Sequence, residues 1–307
     1  MNAAGTGPPQ PGDASQGDVL AVWAMWGLLL IAIGATYTRL DPTELYHVSR
    51  DGLAGGLSRV LVETNYPIAL FAIAPVLIAL DRLGPRWWWL GGPTIAACAL
   101  TIWPGVVDDG NLDARMINVI PALGVATALA LTVIATRRTS AAVAPQRRFD
   151  PARRVLVPAV LFLSLPWIFA AAGFYLPEVG FISERAITGS NGLTEPAVHL
   201  GDHHGFSGAL LLISALILSR TRLAARGLAI ITAAYVSLMG AYGAIISVQD
   251  LTREQINKRG WIEWRIPDAV KPSLTPIWLI ILALAAAAFL AIRYEADQPT
   301  TTARGLR

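Results

Sequence analysis

Residues 224–248 read AARGLAIITAAYVSLMGAYGAIISV, and no Asp, Glu, Lys or Arg occurs from Gly227 to Gln249. A helix needs ~20 mainly apolar residues to cross ~30 Å of hydrocarbon, so this stretch reads as a membrane span. Seven further segments have the same character: 19–38, 60–80, 87–104, 116–136, 155–175, 206–219 and 275–293. The third is the weakest, because Gly91, Gly92 and Pro93 interrupt it. The sixth is short unless its helix starts near His203. Neighbouring helices satisfy the backbone groups that Pro and Gly free inside a membrane, and the count is therefore eight.

The whole chain agrees with a polytopic class. Of its 307 residues, 54% are hydrophobic and 15% charged, against roughly 25% charged in soluble chains. The mean hydropathy is +0.51. The expected fold is an all-α integral membrane protein of about eight transmembrane helices. A net charge of +3 is spread over short inter-helical clusters and not along one soluble stripe, which argues against nucleic acid. The single cysteine, Cys98, excludes an intramolecular disulfide framework and a cysteine-cluster metal site. Among the basic residues only Lys258 and Lys271 are lysines, a bias expected of a GC-rich bacterial genome, so a bacterial plasma membrane is the expected location.

Five regions follow. Residues 1–18, rich in Gly, Pro and Gln with Asp13 and Asp18, read as a disordered tail before a retained first helix. Residues 19–136 form a first four-helix half, 137–154 an Arg-rich linker, 155–293 a second four-helix half and 294–307 a tail. The linker holds Arg137, Arg138, Arg147, Arg148, Arg153 and Arg154, and the link 220–226 holds Arg220, Arg222 and Arg226. By the positive-inside rule both are cytoplasmic, which puts both termini inside and leaves 39–59, 105–115, 176–205 and 249–274 outside. Arg39, after the first helix, argues the reverse and is outnumbered. The basic clusters are expected to meet anionic lipid, and membrane lipids are the expected partners.

The halves share a plan. Arg50-Asp51-Gly52-Leu53-Ala54-Gly55-Gly56-Leu57 and His203-His204-Gly205-Phe206-Ser207-Gly208-Ala209-Leu210 carry the same pattern at one offset. A parallel duplication explains this, with a binding groove between halves; close helix packing through small residues explains it equally.

All four histidines fall in outside connections. His199 and His203 are four apart, and if the sixth helix begins early they share a face with Asp202 nearby. Imidazoles and a carboxylate suit zinc, and His47 or His204 supplies a further ligand. Asp108, Asp109 and Asp113 offer further ligands or a base for a metal-bound water. The competing reading is interfacial histidines that cap a helix; a bis-histidine haem would need ligands facing one another across helices. Glu63 is the one Asp or Glu inside these spans. It reads as a proton acceptor, beside Asn65 in a polar pocket, or as a side chain that snorkels to the interface. Trp261-Ile262-Glu263-Trp264-Arg265-Ile266 reads as an amphipathic anchor or a lid.

Glu63-x-Asn65 with His199-x-x-x-His203 resembles the seven-helix membrane hydrolases of the alkaline ceramidase type. The likeness covers two short patches, and that family's His pair lies on its last helix, whereas two helices follow here. It implies a metal-dependent hydrolase acting on a lipid or lipid-linked substrate. A transporter or binding protein with Glu63 as coupling residue, and a non-catalytic subunit of a membrane complex, are the alternatives.

Overall fold

The computed structural model describes residues 16–108, 111–138, 146–188 and 194–298. It is mostly helical, and every segment expected to span contains a helix. We label these α1 (Gln16–Arg39), α2 (Gly52–Glu63), α3 (Ala69–Leu83), α4 (Trp88–Ala99), α5 (Val119–Arg138), α6 (Asp150–Leu163), α7 (Leu165–Ala171), α8 (His204–Leu218), α9 (Arg226–Leu251) and α10 (Pro276–Asp297). A two-stranded hairpin, β1 (Ala186–Thr188) and β2 (Thr194–Pro196), precedes α8.

Five stretches are long and apolar enough to cross a membrane: Gln16–Arg39, Gly52–Leu83, Met116–Arg138, Arg226–Arg259 and Pro276–Asp297. The pair α6–α7 makes a sixth if its 57° bend is one span, and α8 is apolar but shorter. The chain is thus an all-α membrane protein by length and composition.

Several boundaries differ from the sequence reading, each for a physical reason. The second helix begins at Gly52, not near residue 60, and so includes Arg59. Its run to Leu83 is broken at Tyr66, whose backbone is extended (φ −154°, ψ 122°), just before Pro67. Helix α9 does not stop near Val248; helical turns continue to Arg259, and Glu254 and Gln255 are buried there. The segment 249–274 is therefore not a solvated loop throughout. Trp261–Ile266 is not helical, and Trp261 and Trp264 are exposed. Helix α10 carries buried Glu295 past the expected start of the tail, and Asp18, assigned to the disordered tail, lies in the first turn of α1.

One end of the molecule is tied by buried charge. Arg153 meets Asp150 at 3.0 Å and Glu295 at 2.5 Å, and Arg220 meets Asp150 at 3.0 Å and Asp18 at 3.2 Å. These pairs join the starts of α1 and α6 to the ends of α8 and α10. At the same end, the Asp81 carboxylate of α3 accepts the Ala224 and Ala225 N–H groups before α9. Thus α1, α6 and α9 run away from this end, and α3, α8 and α10 run toward it. Arg153 and Arg220 serve this internal network, which corrects the expectation that the clusters as a whole face lipid.

The matching motifs at the two helix starts differ in structure. Helix α2 starts at Gly52 after Asp51, and α8 at His204 after His203, one residue out of step with the shared pattern. The Arg50 carbonyl crowds Gly55, whereas the Gly243 carbonyl of α9 crowds Gly208. Each glycine serves its own close approach, as small residues do between membrane helices.

Candidate functional site

At the end opposite Arg153 and Arg220, three ionisable side chains converge. His203, Asp250 and Glu254 each present a ligand atom, and these atoms lie within 4.8 Å of one another. Among the described residues this is the one such His/Asp/Glu group. His203 is the residue capping α8, with an extended backbone (φ −132°, ψ 135°). Asp250 and Glu254 are one turn apart where α9 passes into its last helical turns, so they share a face.

Each member has an oriented partner. The Nδ1 of His203 lies 3.1 Å from Glu254 Oε1, and its Nε2 is 2.8 Å from the His199 carbonyl oxygen. With Nε2–H donating to that carbonyl, Nδ1 carries a second proton toward Glu254, and this is the atom a cation would occupy in its place. The Trp167 indole N–H donates to Glu254 Oε2 at 2.6 Å. The Gly205 N–H, in the first turn of α8, donates to Asp250 Oδ2 at 2.6 Å. Metal-binding histidines and carboxylates characteristically have such outer partners.

Two carboxylates beside one imidazole favour positive charge. Burial opposes charge on His203, but the Glu254 carboxylate outweighs it and holds the ring up at about 9. His199 moves the other way: burial, then the charge of His203, hold it well below the usual histidine range. A bound divalent cation would take the place of that His203 proton, and imidazole plus carboxylate is a donor set that zinc accepts.

The sequence-predicted ligands divide. His203 is in the group. His199 is not on a helix face with it, because α8 starts only at His204; instead the two rings stack with centroids 3.9 Å apart. Tyr46 stacks on His199, and His47 lies against Tyr46, so His47 is two rings away from His203. His204 contacts the Tyr66 ring, and its Nδ1 is buried without a partner. Asp202 turns to Arg59, at 2.6 Å.

That last pair belongs to a second buried centre. Arg59, Glu63 and Asp202 are 4%, 0% and 7% exposed at their side chains, and Arg59 also meets Glu63 at 3.4 Å. No N–H or hydroxyl group donates to either Glu63 carboxylate oxygen or to Asp202 Oδ1 among the described residues, and the two carboxyls are neighbours. Glu63 therefore does not snorkel. It is held inside the protein by an arginine one helical turn earlier. The Arg59 guanidinium also lies over the Tyr37 ring, and Tyr37 Oη accepts the Asp202 N–H. Gly201 lies against Tyr37 with φ +101°, where a side chain would clash and strain the backbone.

Asn65 does not share a pocket with Glu63. It exchanges hydrogen bonds with Asn118: its amide donates to the Asn118 carbonyl at 2.7 Å, and Asn118 Nδ2 donates back at 2.9 Å. Two of the acidic candidates of the outer link have other partners. Asp108 pairs with Arg115 at 2.5 Å, and Asp113 accepts the Ser49 hydroxyl. Asp109 lies outside the described residues.

No protein-family model, curated protein or solved structure matches the chain. The two patches that resemble alkaline ceramidases are thus not joined by a match, and their residues are used differently here.

A cavity of about 560 Å³ lies between α3, α4, α8 and α9; His203, Asp250 and Glu254 do not line it, and His204 is the lining residue nearest in sequence to that group. Leu70, Ile73, Leu211, Leu238 and Met239 make its wall mainly apolar, and His204 contributes to it. Tyr66 and Tyr242 bridge across it through their hydroxyls at 2.8 Å. Asp250 and Glu254 escaped the sequence reading because they follow the apolar run, where a loop was expected. Their spacing, Asp-x-x-x-Glu, was the available signal.

Proposed function

We propose that this protein is a bacterial plasma-membrane protein with eight crossings and both termini on the Arg-rich cytoplasmic side. In this reading it holds zinc at His203, Asp250 and Glu254 on the outer side and hydrolyses a lipid-linked substrate. The helix directions and the grouping of the arginine clusters at one end support the sidedness. Cysteine labelling tests it: probes at residue 263 are expected to react from outside and probes at residue 222 only after permeabilisation, and the reverse would refute it.

The observation that carries the chemistry is the set of three convergent ligands, each with its own oriented partner. Bound there, zinc supplies Lewis-acid activation of water at neutral pH. Trp167, Gly205 and the His199 carbonyl hold the ligands in place. His204, next in the chain to a ligand and facing the cavity, is placed to move a proton, and the cavity takes the apolar part of a substrate. Its volume lies within the roughly 300–1,000 Å³ of ligand pockets. The transporter reading has less support, since Glu63 is not among the residues that line the cavity.

The test is turnover by the zinc-loaded protein on lipid esters, amides and phosphates. Wild type is expected to hydrolyse one class, Glu254→Gln to be inactive, and His204→Ala to fall by about 10²–10⁴-fold. No turnover on any class by wild-type protein that contains zinc would remove the hydrolase reading.

A further inference from the structure

The cytoplasmic-side end holds a second, smaller crevice of about 290 Å³ between the end of α8, the start of α9 and the end of α10. Its rim carries Arg222, Arg226 and Arg293, and no Asp or Glu lines it. These arginines differ from their neighbours. Arg153 and Arg220 are matched by carboxylates, whereas among the described residues Arg226 and Arg293 have no ion pair or hydrogen bond. Arg222 donates through Nη2 to the carbonyls of Ala296 and Gln298, both at 3.0 Å, and its Nε has no partner. Asp81 is close in the chain fold, but both its oxygens accept the N–H groups of Ala224 and Ala225.

Below the rim the lining changes. It follows α9 from Arg226 to Val236, about 15 Å along the axis at 1.5 Å per residue, and passes through Ala233. On the way it meets Thr232, 5% exposed, whose hydroxyl has no hydrogen-bond partner. A buried hydroxyl left unpaired is costly, and Thr232 is one of the residues that line this crevice. Cationic groups at the rim, one hydroxyl below them and an apolar floor along the helix axes match a molecule with an anionic head, an ester-bearing neck and a hydrocarbon tail.

We propose that this crevice binds an anionic glycerophospholipid, its phosphate on Arg222, Arg226 and Arg293 and its ester region at Thr232. The volume accepts the head and the first part of a chain, with the remainder in the bilayer. The site is independent of the zinc reading, and a chain with no metal would still bind the lipid.

Native mass spectrometry of the full chain in detergent with added phosphatidylglycerol or phosphatidylcholine tests this. Wild type is expected to retain phosphatidylglycerol at least tenfold more strongly. Arg226→Gln with Arg293→Gln, which removes no ion pair or hydrogen bond among the described residues, is expected to weaken that binding by roughly 25-fold, about fivefold per arginine. Thr232→Val is expected to weaken phosphatidylglycerol binding without affecting phosphatidylcholine, and Arg115→Gln at the other end to change neither. Equal retention of the two lipids by wild type, or undiminished phosphatidylglycerol binding by the double variant, would overturn the proposal. Complete displacement by millimolar inorganic phosphate would overturn it too, because the site would then recognise a free anion.

Discussion

Replacing Arg59 by leucine is expected to leave little folded protein in detergent. Arg59 lies between two carboxylates, Asp202 at 2.6 Å and Glu63 at 3.4 Å, and all three side chains are at most 7% exposed. Removing the cation strands two acids in a low-dielectric interior. Breaking a buried pair from one side costs about 3–5 kcal/mol, a large share of a total stability of about 5–15 kcal/mol. The loss should be repaired in part by neutralising the partners as well, in Arg59→Leu, Glu63→Leu, Asp202→Asn, because the cost arises from the uncompensated charge. Melting followed by circular dichroism checks both variants. A single variant that melts within a degree or two of wild type would show that the pair contributes nothing, and a triple variant no better than the single would place the cost in packing.

The second large effect is on metal affinity. Trp167→Phe keeps most of the buried ring and deletes one N–H, the donor to Glu254 Oε2 at 2.6 Å. Loss of an outer partner of this kind typically weakens a metal site by about 10–100-fold. Competition with a chelator of known affinity is expected to show that drop for zinc, with the metal-free protein still folded though melting somewhat lower for the lost buried donor. His199→Ala is the informative contrast. The group that orients His203 is the His199 backbone carbonyl, which alanine retains, so zinc affinity should change little. An unchanged affinity in Trp167→Phe would detach the indole from the site.

How much of this was legible in the sequence depended on whether the deciding contact was local. Helices α1, α5 and α10 follow from hydropathy alone, since their apolar runs are long and mostly unburied within the protein. Arg59 was placed outside its helix because a charge lowers hydropathy, and the residue that neutralises it, Asp202, is far along the chain. His199 and His203 carried the right chemistry with the wrong geometry: positive-φ Gly201 keeps the chain from helix between them. Asp250 and Glu254 were hidden for the opposite reason. The helix continues past Val248 because Trp167 and the backbone of Ile182, bonded to Gln255 at 2.9 Å, bury its polar face. Local polarity reads as loop when the burying partners come from elsewhere in the chain.

Zinc content of the purified full chain, after loading and dialysis, tests the central claim most directly. The account predicts one zinc per chain in wild type and in His199→Ala, and none in His203→Ala or Glu254→Gln. Wild-type zinc no higher than in Glu254→Gln, or zinc lost in His199→Ala and kept in Glu254→Gln, would contradict it.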